Sequence, residues 1–297
     1  MNLRERIEAA VLDAALRLLR AIGPVRASNI GGAVARTIGP RLPVSRVGRI
    51  NLRLALPDLD AAAHARILRG AWDNLGRTVA ELPHLSRLDR TASGPGWEVA
   101  GEEHAAAVAA AGGPAIVMVA HLANWEIMPR IGSALGVFGS AAYRAANNRR
   151  VDAILTRLRR EAAGVDLPLF PKGARGARAA VAHMAKGGTI GLLMDQKLNE
   201  GIAVDFFGHP AMTAPALAAF ALRFRCPVLP VHVERIGPVR FRLIVDPPLE
   251  LPATGDRQAD ILALTRQVNA TLERWIRARP QEWLWLHRRW DQSHYRK

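Results

Sequence analysis

Apolar positions recur every three or four residues through 2–22, 59–82, 102–111, 149–163, 174–186, 214–225 and 256–279, the period of an amphipathic helix. Between these stretches lie short apolar runs rich in β-branched residues, clearest at 115–120, 189–194, 228–233 and 239–245, which predict strands. Strands alternating with helices predict an α/β fold with a mainly parallel central sheet flanked by helices. The last two runs are separated by Gly237-Pro238 and allow an antiparallel hairpin instead. No proline- or glycine-rich linker interrupts the chain. A single domain is therefore expected, with an amphipathic helix at 1–26, a helical cap at 27–100 and an α/β core at 101–297.

In the first helix Leu3, Ile7, Val11, Ala14, Leu18 and Ile22 form the apolar stripe, with Arg4, Arg6, Arg17 and Arg20 beside it. Such a stripe serves either to pack on the core or to lie on a bilayer with its basic residues among the headgroups. Asp13, Arg17 and Arg20 interrupt any signal-peptide run. No uncharged apolar stretch approaches the roughly 18 residues of a membrane span.

Charge changes the picture more than composition does. With 49% hydrophobic residues the 297-residue chain has ample core material, while 41 basic against 26 acidic residues give a net charge of +15. Nucleic acid, anionic lipid and an acidic carrier protein are the polyanions such a surface attracts. Two tyrosines and no recognisable nucleic-acid motif argue against the first. The single cysteine, Cys226, excludes an internal disulfide and reads as a buried thiol beside Pro227. The histidines do not cluster at ligand spacing, so neither metal nor cofactor is expected.

The run 115–120 ends at His121, and catalytic groups of α/β folds gather beyond the carboxyl ends of strands. Five residues on stands Glu126. On a continuous helix the two would point about 140° apart. With His121 on the turn and Glu126 in the first helical turn, the carboxylate could hold one imidazole nitrogen while the other takes a proton. The competing reading is a structural histidine followed by a capping glutamate.

The segment from His121 to Glu126, with Asn124-Trp125 inside it, resembles the H-x4-D/E motif of the glycerolipid acyltransferase superfamily. It is closer still to the HLGNWE form of the lipid A biosynthesis acyltransferases. Tyr143-Arg144 with Asn147-Asn148, Met194-Asp195-Gln196, the run from Asp205 to Ala211 with Thr213, and the run from Pro280 to Trp290 resemble further blocks of that family, in order. Ala123 stands where the family usually has glycine, and Ala145 where it has proline. The lysophosphatidate-acyltransferase block is only faintly echoed at 170–175.

The resemblance implies a fatty acyl transfer from an acyl-carrier-protein thioester to a hydroxyl of a lipid A precursor, at the cytoplasmic face of the inner membrane. His121 would be the general base, oriented by Glu126. Arg144, with backbone N–H groups near Asn124, would meet the oxyanion, and Asn147, Asn148, Asp195 and Gln196 would serve substrate. Arg157, Arg159, Arg160, Lys172 and Arg175 would take the donor protein or acceptor phosphates, unless they are simply a solvated face. Another glycolipid or a lysophospholipid is the alternative acceptor. The residues 115–127 contain no serine or threonine, which favours direct attack over an acyl-enzyme. Trp275, Trp283, Trp285 and Trp290, interleaved with arginines, suit either a membrane interface or a C-terminal strand in the core.

Overall fold

The computed structural model describes residues 3–137, 140–143, 146, 148–165, 167–171 and 173–296. Four helices come first: α1 (Leu3–Ile22), α2 (Pro24–Ile38), α3 (Ser45–Ala55) and α4 (Ala61–Glu81). Then follow β1 (Gly96–Ala100), α5 (Glu102–Ala111), β2 (Ala115–Val119), α6 (Met128–Ala134), β3 (Ala141–Tyr143), α7 (Arg149–Ala163), β4 (Leu169–Pro171), α8 (Ala174–Ala185) and β5 (Thr189–Leu193). The chain closes with β6 (Ile202–Phe206), β7 (His209–Thr213), α9 (Ala216–Phe224), β8 (Val228–Gly237), β9 (Arg240–Val245) and α10 (Arg257–Ala278).

Seven strands form one sheet in the order β1-β9-β8-β2-β5-β3-β4. Every pairing is parallel except β8 with β9, which is the antiparallel hairpin allowed by Gly237-Pro238. Strands β6 and β7 form a separate antiparallel arm. β1 arises at the end of the stretch expected to be a helical cap and joins the sheet edge beside β9. Its Gly96-Trp97 start lies next to a turn, too short a run for periodicity to register.

Side chains alternate across β2, the strand that ends at His121. Ile116 and Met118 enter one core with Leu192, Val228, Leu217 and Leu272, while Val117 and Val119 enter the other with Leu229, Val231, Ile131 and Ala162. All five residues of β2 are buried, as a central parallel strand covered on both faces requires.

The stripe of α1 faces outward: Leu3 is 69% exposed, Val11 63% and Leu18 66%, whereas Ala9 and Leu16 are buried beneath. Thus α1 packs on the protein through its other face. Arg20 reaches the Pro83 carbonyl and the His84 ring the Leu19 carbonyl. Among the described residues no helix is long and apolar enough to cross a membrane. The four C-terminal tryptophans are all buried, which removes the interface reading for them; Trp275 lies in α10, and Trp283, Trp285 and Trp290 pack in largely irregular chain, with a Leu122–Trp283 bridge of strand character.

Candidate active site

The register of the sheet assembles the site. Val119 pairs with Leu193 in the parallel β2–β5 ladder, so two residues further His121 arrives opposite Asp195. The imidazole Nδ1 lies 2.8 Å from Asp195 Oδ1, and the His121 backbone N–H donates to Oδ2 at 3.1 Å. The indole N–H of Trp283 donates to the same Oδ2 at 2.8 Å. Asp195 is fully buried. Burial alone would raise its pKa, but the His121 ring, with His287 and the Trp283 N–H, holds it well below the usual carboxylate range. An ionised Asp195 accepts from Nδ1–H and leaves the Nε2 lone pair free, the tautomer a general base needs. The ring keeps 12% exposure and meets Trp125 edge-on at 5.1 Å.

Glu126 does not take the place expected of it. No hydrogen bond joins it to His121; Arg159 of α7 grips its two oxygens at 2.6 and 2.7 Å. The carboxylate lies in the short turn 125–127, where α7 supplies a guanidinium fork, while the strand partner Asp195 reaches the imidazole first. Arg159 is accordingly half-buried and tied to the site rather than part of an open basic face.

The turn carrying His121 is fixed from beneath. Ala123 adopts φ 47°, the left-handed region, at a cost of roughly 1 kcal/mol for a residue with a Cβ, which accounts for a glycine preference here. Its N–H donates to the Glu282 carbonyl, and its carbonyl accepts from Asn74 Nδ2 and Thr78 Oγ1 at 2.9 and 3.0 Å. Asn124 is wholly internal: its amide donates to Glu81 at 2.7 Å and its oxygen accepts from the Glu126 N–H. Glu81 is balanced by Arg235, at 2.6 and 3.0 Å, and by Ser28. A buried carboxylate so paired is costly to disturb, since removing one partner leaves about 3–5 kcal/mol of uncompensated charge.

The C-terminal run closes the site over Asp195. Leu284 N–H donates to the His121 carbonyl, and the two ring nitrogens of His287 lie 2.8 Å from the Leu284 carbonyl and 3.0 Å from that of Asp195. Burial pushes the His287 pKa down, against the pull of the Asp195 charge. A histidine and an aspartate meet at adjacent strand ends, on a turn braced by buried polar groups, an arrangement chemically able to act as a base with its orienter.

A family model described as bacterial lipid A biosynthesis acyltransferase matches residues 4–292. The chain belongs to that family. A search of curated proteins finds no match. Lipid A acyltransferase membership makes the protein an acyltransferase acting on lipid A. The match begins within α1 and so takes in the exposed stripe as well as the sheet.

The other expected residues divide. Asn148 caps α7, accepting from the Arg150 and Val151 amides, and its own amide reaches Glu5 and Glu8 of α1. Gln196 is exposed beside Asp195, Arg160 and Arg175 are exposed, and Arg157 faces Asp13 and Glu161. Arg144, Asn147 and Lys172 lie outside the described residues. Cys226 is buried, its thiol pushed up to about 11 by burial, and the Thr213 hydroxyl is buried against Arg289. The bracing residues Asn74, Thr78 and Glu81 were not anticipated. Their signal was polar side chains at spacings of four and three on one face of α4, the face that turns inward.

Proposed function

We propose that the protein transfers a fatty acyl chain from an acyl-carrier-protein thioester to a hydroxyl of a lipid A precursor, with His121 as general base and Asp195 as its orienter. The observation that carries this reading is the 2.8 Å contact between His121 Nδ1 and Asp195 Oδ1 at neighbouring strand ends. His121 Nε2 takes the hydroxyl proton as the acceptor oxygen attacks the thioester carbonyl. The imidazolium is stabilised by the buried Asp195 carboxylate. As the tetrahedral intermediate collapses, the C–S bond breaks and the proton passes from Nε2 to the departing sulfur. Backbone N–H groups near Asn124 and the Arg144 guanidinium are the candidate oxyanion donors. Glu126 and Arg159 act together, fixing the turn that follows the base. The outward stripe of α1 supports work at a membrane surface, the cytoplasmic face of the inner membrane in this reading.

The test is to incubate the purified protein with acyl-loaded carrier protein and a lipid A precursor and to read the lipid mass. One added acyl chain is expected, with the rate reduced about 10²-fold or more in His121→Ala. No mass gain, or an equal rate in a folded His121→Ala variant, would overturn the assignment.

A further inference from the structure

Helices α2 and α4 approach closely because their facing residues are small: a Cβ on Gly31 would lie 2.5 Å from the Gly76 carbonyl oxygen. The approach gathers arginines. Arg36 from α2 and Arg66 and Arg69 from α4 line a cavity of about 340 Å³ together with Arg235 and Gln281. A second cavity of about 320 Å³ shares Arg36 and Arg69 and adds Arg41.

The acids at this site are already matched. Asp73 is held by Arg36 and Arg77, and Glu282 by Arg279. Arg235 is bound to Glu81. Arg66 and Arg69 are exposed and have no carboxylate partner among the described residues, and Arg41 reaches only the Thr37 carbonyl. The surplus is positive and made of guanidinium forks, whose paired N–H groups match phosphate oxygens. Beside it the chain exposes apolar side chains: Ile38 at 53%, Leu42 at 40% and Val44 at 39%. They flank Pro40 and Arg41, which line the second cavity. Apolar tips with arginines alongside suit a bilayer boundary, the tips among acyl chains and the cations at phosphate level.

We propose that this cavity binds the phosphate of a membrane lipid, with Arg66 and Arg69 as the phosphate forks and Ile38, Leu42 and Val44 set into the lipid beside them. Two residues of its wall, Asn74 and Glu282, hold the backbone of Ala123, so the site adjoins the turn that carries His121. The phosphate belongs either to a bulk anionic phospholipid or to the acceptor glycolipid itself. Neither source requires the proposed transfer chemistry, because binding is read without turnover.

The experiment measures flotation of the full chain with vesicles of phosphatidylcholine plus phosphatidic acid, and with vesicles given equal surface charge by oleate. The Arg66→Gln/Arg69→Gln variant is compared with Arg257→Gln/Arg266→Gln, which removes the same charge from exposed positions of α10. At about 1 kcal/mol per surface cation, the first pair should weaken phosphatidic acid binding about tenfold or more and the control pair much less. Unaltered melting of both variants establishes that folding is intact. Activity in neutral detergent then assigns the source: a raised acceptor KM at unchanged kcat points to the acceptor's phosphate, and an unchanged KM to bulk phospholipid. Equal losses in the two variants, no loss in either, or equal affinity for oleate vesicles would overturn the site. So would a loss confined to carrier-protein binding.

Discussion

The two ends of the chain carry similar mixtures of apolar residues and arginine and meet opposite fates. In α1 the stripe from Leu3 to Leu18 stands in the open. In the run from Trp283 to Trp290 the indoles and even Arg289 are fully buried. Their polar ends make the difference. Trp283 donates to Asp195, Trp285 to the Pro280 carbonyl and Trp290 to the Phe206 carbonyl. Arg289 donates through its terminal nitrogens to Thr213 and Met212 and lies over the Phe206 ring at 4.6 Å, while its buried Nε has no partner among the described residues. A large amphipathic side chain is buried where its N–H finds an acceptor, since an unmatched one costs a few kcal/mol. No element of the described chain covers the outer face of α1. The C-terminal end therefore braces the site, and the N-terminal end is the surface proposed above to meet lipid.

The largest effect should come from breaking the brace at its centre. Asp195→Asn keeps the shape but removes the charge that holds His121, and turnover should fall about 10²-fold or more. Glu126→Gln, which loosens only the fork to Arg159, should fall by about tenfold, the scale of one weakened charged hydrogen bond. Steady-state rates on purified, folded variants decide it. A greater loss in Glu126→Gln would return the orienting role to that carboxylate and leave Asp195 as support.

The buried end should also be the acid-sensitive one. His232 of β8 stacks on Trp275 at 4.5 Å, and burial pushes its pKa from 6.5 to about 4. Asp246 and Glu234 nearby favour its charged form, and Arg274 and Arg279 oppose it. The folded-state value lies below the unfolded one, so the unfolded chain binds the proton first. The associated stability is complete above pH 6.5 and is lost as pH falls toward 4, about 3 kcal/mol in all. Urea midpoints from pH 7 to pH 4 should show this slope in the wild type, and His232→Gln should flatten it in part. His287, also lowered by burial, contributes to the same limb. An unchanged slope would mean that His232 is not held neutral.

Much of the architecture was legible because long helices and buried strands repeat their signal over many residues. The helix expected at 149–163 is α7 itself, and β2 and β5 fall within their apolar runs. Strands of three residues, β3 and β4, are too short for periodicity to declare. His121 was legible as the residue after a buried strand. Its partner was not, because Asp195 is distant in sequence and comes alongside only through strand order. Glu126, five residues away, was the nearer acid along the chain but not in space. The same limit hid Glu81 and Arg235, whose pairing joins a helix to a strand end across 154 residues.

At the exposed end the expected effect is on lipid rather than on turnover. Ile7→Ser, Val11→Ser and Leu18→Ser together leave the inward face of α1, with Ala9 and Leu16, in place. Fully burying one such aliphatic side chain contributes about 1.5–3 kcal/mol, so even partial insertion of three makes a loss of about tenfold in pelleting with anionic vesicles the expected result. Rates on detergent-dispersed acceptor should be unchanged. Equal pelleting of the triple variant would place attachment elsewhere, the arginine cavity between α2 and α4 being the next surface to test.

The smallest effect concerns the residue that joins α1 to the rest. Asn148 does two separable things with one amide. Its oxygen caps α7, and its nitrogen holds the Glu5 carbonyl and the Glu8 carboxylate at 3.0 and 3.1 Å. Asn148→Ala removes both and should cost about 1 kcal/mol of global stability, the usual worth of a cap. Asn148→Asp keeps the capping oxygen, and a negative charge suits the helix N-terminus. It loses the donor, however, and sets a second carboxylate against Glu8. Global stability by urea should therefore stay near the wild-type value, while hydrogen exchange in the first turns of α1 accelerates. If the aspartate variant instead loses as much global stability as alanine, α1 is integral to the folded unit, and its outward stripe is carried by a helix that cannot loosen on its own.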